Sequence, residues 1–128
     1  MNELRRLTRR MVESFHADQL QQHQGRAGIR DENLLESALA RPVNRWHDEQ
    51  PDLVVLAAAY AYGLASNHPF FDGNKRVAFV SMAVFLRLNQ HRLTATQREV
   101  VEEIRALADH QRTEEELTGW VRAHCEPA

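Results

Sequence analysis

Apolar residues recur at helical spacing along most of the chain, and no convincing run alternates β-branched with polar residues, so an all-α fold is the expectation. Leu4, Leu7, Met11, Phe15 and Leu20 mark an amphipathic first helix that should end before the polar stretch Gln21-Gln22-His23-Gln24-Gly25. A loop through Gly28 follows. Asp31 can cap a short second helix carrying Leu34, Leu35, Ala38 and Leu39, and Pro42 should stop that helix at Arg41. The polar and aromatic segment from Val43 to Gln50 then reads as loop.

The pattern changes at Pro51, which suits the first turn of a third helix. From about Asp52 to Asn67 nearly every residue is apolar or small, as expected of a helix surrounded by others. A fourth helix, from about Asn74 to Asn89, repeats the pattern with Val77, Ala78, Phe79, Val80 and their successors. These two should form a central antiparallel pair. Thr96-Gln97-Arg98-Glu99 and Thr113-Glu114-Glu115-Glu116 fit the reciprocal capping pattern, so further helices should begin near residues 97 and 114, the last ending near Cys125. No repeat or linker interrupts the series, and residues 1–128 are expected to form one helical domain of about six helices.

Composition narrows the setting. A chain of 128 residues can bury roughly 65 to 70% of its unfolded surface, and needs neither disulfide nor structural metal to fold. The single cysteine, Cys125, permits no internal bridge and fits a reducing compartment, with cytoplasm as the default. The amino terminus has basic residues without an apolar stretch after them, and the longest apolar runs, Leu53–Ala65 and Val77–Leu86, are too short to span a bilayer; no membrane association is expected. With 16 Lys plus Arg against 18 Asp plus Glu, there is no global basic field, which disfavours nucleic-acid binding. Arg5, Arg6, Arg9 and Arg10 read as the wet face of the first helix. The seven histidines are scattered and include no HExxH pair.

Between the two apolar helices lies His68-Pro69-Phe70-Phe71-Asp72-Gly73-Asn74-Lys75-Arg76, the densest block of reactive groups in the chain. Gly73 can take positive φ, and the free N–H groups at the start of the following helix point outward together with the Asn74, Lys75 and Arg76 side chains. Such a helix start attracts phosphate. Asp72 would repel a bare phosphate, which makes sense if a hard cation bridges them; Mg²⁺ takes one or two carboxylates plus phosphate oxygens. His68, ordinarily titrating near 6.5, can accept a proton from an attacking hydroxyl at neutral pH. Together these groups suggest transfer of a phosphate-containing group, although each alone is common in structural roles: a histidine near a helix end, an Asp-Gly turn, a solvated Lys-Arg. The spacing of a Walker A loop is absent.

The nonapeptide HPFFDGNKR resembles the signature of the Fic/Doc family, HxFx(D/E)GN(G/K)R, and Gly28 to Pro42, GIRDENLLESALARP, resembles a segment of its death-on-curing (Doc) branch. The resemblance implies an all-α Fic core. It further implies His68 as general base toward a protein hydroxyl, Asp72 as Mg²⁺ ligand, Gly73 and Asn74 as an anion hole, and Lys75 and Arg76 on the phosphates of ATP. Phe70 would anchor the loop on the core, with Pro69 and Phe71 shaping it.

Two positions discriminate within the family. Most AMP-transferring members carry glycine where this chain has Lys75, and a further arginine where it has Phe79. Doc toxins carry the lysine and lack the arginine, and bind ATP inverted so that its γ-phosphate is presented. The resemblance therefore implies a protein Ser/Thr kinase of a toxin-antitoxin module, acting on elongation factor Tu and arresting translation. The alternatives are an AMP transferase and a catalytically silent binding module. The self-inhibitory motif (S/T)xxxE(G/N) found in other members is absent, so restraint would come from an antitoxin whose disordered tail folds onto the toxin.

Overall fold

The computed structural model describes residues 4–128. Six helices appear in the described chain: α1 (Arg9–His23), α2 (Glu32–Glu49), α3 (Leu53–Asn67), α4 (Asn74–Leu88), α5 (Gln97–Ala108) and α6 (Glu114–Ala123). Two short strands, β1 (His91–Leu93) and β2 (Cys125–Pro127), pair antiparallel with His91 opposite Pro127 and Leu93 opposite Cys125. The fold is an all-α domain with this one small ribbon attached. Strands of three residues are too brief to show an alternating pattern, so they escape detection from sequence.

Helix α3 is the hub. Ala57, Ala58, Ala59, Tyr60 and Ala61 are fully buried in sequence, because α2, α4, α5 and α6 all pack on α3. The short loop 68–73 turns the chain straight into α4, which makes α3 and α4 an antiparallel pair. Both capping boxes form: Thr96 and Thr113 accept the N–H of Glu99 and Glu116, whose carboxylates reach back to the cap N–H groups. Among the described residues no helix is long and apolar enough to cross a membrane.

Two boundaries depart from the sequence-based expectation. Helix α1 begins only at Arg9, because the Thr8 hydroxyl caps it by accepting the Met11 N–H at 3.2 Å. Leu4 and Leu7 precede the helix; Leu7 is buried in extended chain and donates its N–H to the Tyr60 hydroxyl at 3.0 Å. The helix also runs on through Gln21, Gln22 and His23.

The larger correction concerns α2, which continues through Pro42 to Glu49 instead of stopping at Arg41. An interior proline removes one helical hydrogen bond and crowds the carbonyl four residues back, a cost of about 3 kcal/mol. Here that carbonyl belongs to Ala38, and the neighbouring position on α3 is Gly63. A methyl built on Gly63 would lie 3.0 Å from Ala38 Cα and 3.1 Å from its carbonyl oxygen. Leu35, Ala38 and Pro42 are all buried, and their burial against α3 outweighs the lost bond. The loop expected over residues 43–50 is therefore the last two turns of a helix.

Candidate active site

The loop between α3 and α4 begins under backbone strain. His68, the C-cap of α3, adopts the left-handed conformation with φ 49° and ψ 56°, a region that costs an L-residue about 1–2 kcal/mol. Neighbouring groups hold it there. The Pro69 carbonyl accepts the N–H groups of Arg30 and Asp31 at 2.7 and 3.1 Å, and the Phe71 N–H donates to the Gly28 carbonyl at 3.3 Å. The Arg30 side chain donates from Nε to the His68 carbonyl at 2.8 Å and from Nη2 to the Asn67 carbonyl at 3.0 Å.

Beneath the loop, Phe70 is 1% exposed. Its ring stacks on buried His16 of α1, with centroids 3.9 Å apart and planes 12° apart. His16 Nε2 lies 2.9 Å from the Asp72 carbonyl oxygen, so this nitrogen carries the hydrogen. Asn74 clamps the turn from the other side: its Oδ1 accepts the Phe70 N–H at 2.9 Å and its Nδ2 donates to the Phe70 carbonyl at 3.0 Å. The Asn74 side chain, expected among the outward-pointing donors, is thus buried and occupied within the loop. Only its backbone N–H remains for a ligand.

Helix α4 starts without a side-chain cap. Gly73, at φ 80°, occupies the N-cap position, and no side chain accepts from the first turn. The Val77 N–H is the one that turns back to the Gly73 carbonyl, at 2.9 Å, which leaves the N–H groups of residues 74–76 directed out of the helix end. Exposed Lys75 and half-buried Arg76 stand at the same end. Arg76 Nη1 is a buried donor with no partner among the described residues.

These groups border a cavity of about 660 Å³. His68, Asp72, Gly73, Asn74, Lys75 and Arg76 all line it, whereas Phe70 lies under the loop as part of the core. Its remaining wall mixes Gln19 and Gln22 of α1 with Phe79 and Val80 of α4 and Val101 and Ile104 of α5. Burial, and then the charges of Arg30, Lys75 and His110, push the His68 imidazole below its ordinary titration range. At neutral pH it is the uncharged, proton-accepting form.

Asp72 is exposed, and one oxygen, Oδ2, accepts the Arg26 N–H at 2.7 Å. The second carboxylate oxygen has no protein donor among the described residues, so a single carboxylate ligand is available to a hard cation. No cluster of three or more candidate metal ligands occurs among the described residues, and a Mg²⁺ ion that draws its other ligands from phosphate and water needs none.

Three contributors were not singled out from sequence: His16, Arg26 and Arg30. Arg26 places its guanidinium 3.9 Å over the Phe71 ring in addition to its bond to Asp72. All three lie more than 35 residues from the atoms they hold, for instance 56 between His16 and Asp72, so local spacing carries no trace of them.

Residues 6–86, well over half the chain, match the model of the Fic/DOC family. A curated relative, "Toxin Doc" of Mycolicibacterium smegmatis, is 41% identical over 73 residues, covering 56% of this chain and 56% of that protein. Another, "Protein kinase doc" of Escherichia phage P1, is 32% identical over 77 residues, covering 59% of this chain and 61% of its own. The chain thus spans somewhat more than half the length of the curated relatives it matches. The family match takes in α1 to α4 almost entirely, including the whole of the loop and helix start around the cavity, and on this ground the chain belongs to the Fic/DOC family.

Proposed function

We propose that this protein is a Doc-like toxin that transfers the γ-phosphate of ATP to a Ser or Thr hydroxyl of a protein target. The observation that carries the reading is the buried, unpartnered Nη1 of Arg76 at an uncapped helix start on a large cavity. Buried donors are almost always paired, so an orphan on a residue that lines a cavity supports an acceptor from outside the chain. Three backbone N–H groups, Lys75 and the positive end of α4 surround it. A polyphosphate satisfies them all.

In this reading His68 accepts the proton of the target hydroxyl as its oxygen attacks the γ-phosphorus in line and ADP leaves. The uncharged state of His68 suits that role. Lys75, Arg76 and the N–H groups at Gly73 and Asn74 receive the charge that develops on the phosphoryl oxygens. Asp72 would hold Mg²⁺, which when bound supplies further positive charge to the phosphates. Phe70, stacked on His16, anchors the loop so that these groups keep their places. Residues 1–128 work as one unit.

Phosphoryl transfer is preferred to AMP transfer because the wall beyond Arg76 is apolar at Phe79 and because Lys75 adds bulk and charge at the helix start. The names of the two relatives point the same way, one being a toxin and the other a protein kinase. By the family resemblance the target is elongation factor Tu and an antitoxin with a disordered tail restrains the activity; the single cysteine fits a cytoplasmic setting.

The deciding experiment incubates the protein and its His68→Ala variant with bacterial extract and Mg²⁺, using ATP labelled at the γ or the α position. Label from γ alone, lost in the variant, is expected. Label from α would establish AMP transfer, and none from either would favour a binding role.

A further inference from the structure

Among the groups around His68, one has no place in the chemistry above. Arg30 stands in the loop before α2, and its side chain crosses to the end of α3, donating to the last two carbonyls there, His68 at 2.8 Å and Asn67 at 3.0 Å. Its own backbone N–H donates to the Pro69 carbonyl at 2.7 Å. Next to it, Ile29 bridges to Phe70 in antiparallel fashion. One residue therefore grips three consecutive carbonyls, Asn67, His68 and Pro69, around the left-handed His68.

The grip has two physical consequences. Helix ends expose carbonyls that attract cations, so the guanidinium satisfies groups that would otherwise pull in water. It also fixes the backbone from which the imidazole projects, at a residue whose conformation is unfavourable without support. In addition the guanidinium is always charged, and it acts on His68 alongside Lys75 of α4 and His110 of the turn after α5, with Asp72 and Arg76 lining the same cavity.

We propose that Arg30 is a positioning residue for His68: it ties the end of α3 to the loop before α2, presents the imidazole to the cavity, and sets a fixed positive charge beside it. The proposal rests on the reading of His68 as the general base, and adds a residue outside the HPFFDGNKR motif to the apparatus that prepares it. Like charge nearby disfavours the imidazolium, so Arg30 keeps His68 in the form that accepts a proton, while its hydrogen bonds aim it.

The test compares the wild-type chain, Arg30→Gln and Arg30→Lys. The His68 imidazole is titrated by NMR, and label transfer from ATP is followed from about pH 5.5 to 8, across the ordinary histidine range. Arg30→Gln is expected to move the His68 titration to higher pH and to carry the acidic limb of the transfer profile with it. Transfer then falls at every pH through the lost grip, and by up to about a further fourfold at about pH 6 through the titration. Arg30→Lys, which retains charge without the two-pronged grip, should restore the titration and lower transfer at every pH. An identical His68 titration in wild type and Arg30→Gln overturns the proposal even if activity drops, and so does an Arg30→Lys variant that titrates like Arg30→Gln. If wild type transfers no label, the kinase reading fails by itself, and the NMR titrations still decide the role of Arg30.

Discussion

Helices α6 and α4 start in opposite ways. At α6, Thr113 accepts the N–H of Glu116 at 3.0 Å while the Glu116 carboxylate accepts the Thr113 N–H at 2.9 Å, so the first turn closes on itself. At α4, Gly73 offers no acceptor, and both cationic residues of the first turn, Lys75 and Arg76, add positive charge to an end that is already positive. The other four helices follow α6 in having a side-chain cap, from Thr8, Asp31, Asp52 and Thr96. A helix start that departs from the rule five times observed in its own chain, and carries same-sign charge besides, is built for something other than helix stability. The contrast separates residues that hold the fold from residues proposed to hold a ligand, and it can be broken or sharpened by substitution.

The largest effect should come from His68→Ala, with transfer reduced by roughly 10²- to 10⁴-fold and the melting temperature nearly unchanged. A variant that melts far lower would place His68 with the structural residues. Phe70→Ala should cost about 3–5 kcal/mol in denaturant unfolding, since its ring is sealed between His16 and the core; an unchanged unfolding midpoint would refute its part as anchor. Arg76→Gln should weaken ATP binding by roughly tenfold, about 1.4 kcal/mol, as read by calorimetry, with the fold intact. Thr113→Ala should lower stability by about 1 kcal/mol and leave transfer per folded molecule as it was, which makes α6 the control for α4. The smallest change concerns pH. Because His68 is pushed below its usual range, its proposed role as proton acceptor requires activity to hold nearly level as pH falls from about 7.5 to about 6.5; a half-loss at the ordinary imidazole value would show that its surroundings do not depress it.

Much of this contrast was legible in the residues themselves. Both capping boxes and the buried pair α3 and α4 follow from spacing that acts within a few residues. Pro42 was misleading because local rules weigh the lost hydrogen bond and know nothing of the glycine that receives the Ala38 carbonyl from another helix. Asn74 misled in the same direction: an asparagine at a helix start reads as an outward donor, yet its amide turns inward to bridge Phe70, four residues earlier. His16 was invisible, and the role of Arg30 open, for a different reason. Each acts through a contact that exists only after the chain has folded, on a backbone carbonyl that any residue would supply.

Gly63 limits how much change the contact between α2 and α3 tolerates. The position is not among the residues lining the cavity and carries no chemistry, yet the smallest possible addition, one methyl group, would sit 3.0 Å from Ala38 Cα and 3.1 Å from its carbonyl oxygen. In a close-packed interior the Ala38 backbone of α2 would have to give by a few tenths of an ångström. The loop bearing Arg30 leads directly into α2, and its shift would be felt at His68. A neutral-looking exchange such as Gly63→Ala would thus reach the site through the α2 backbone and the loop before it.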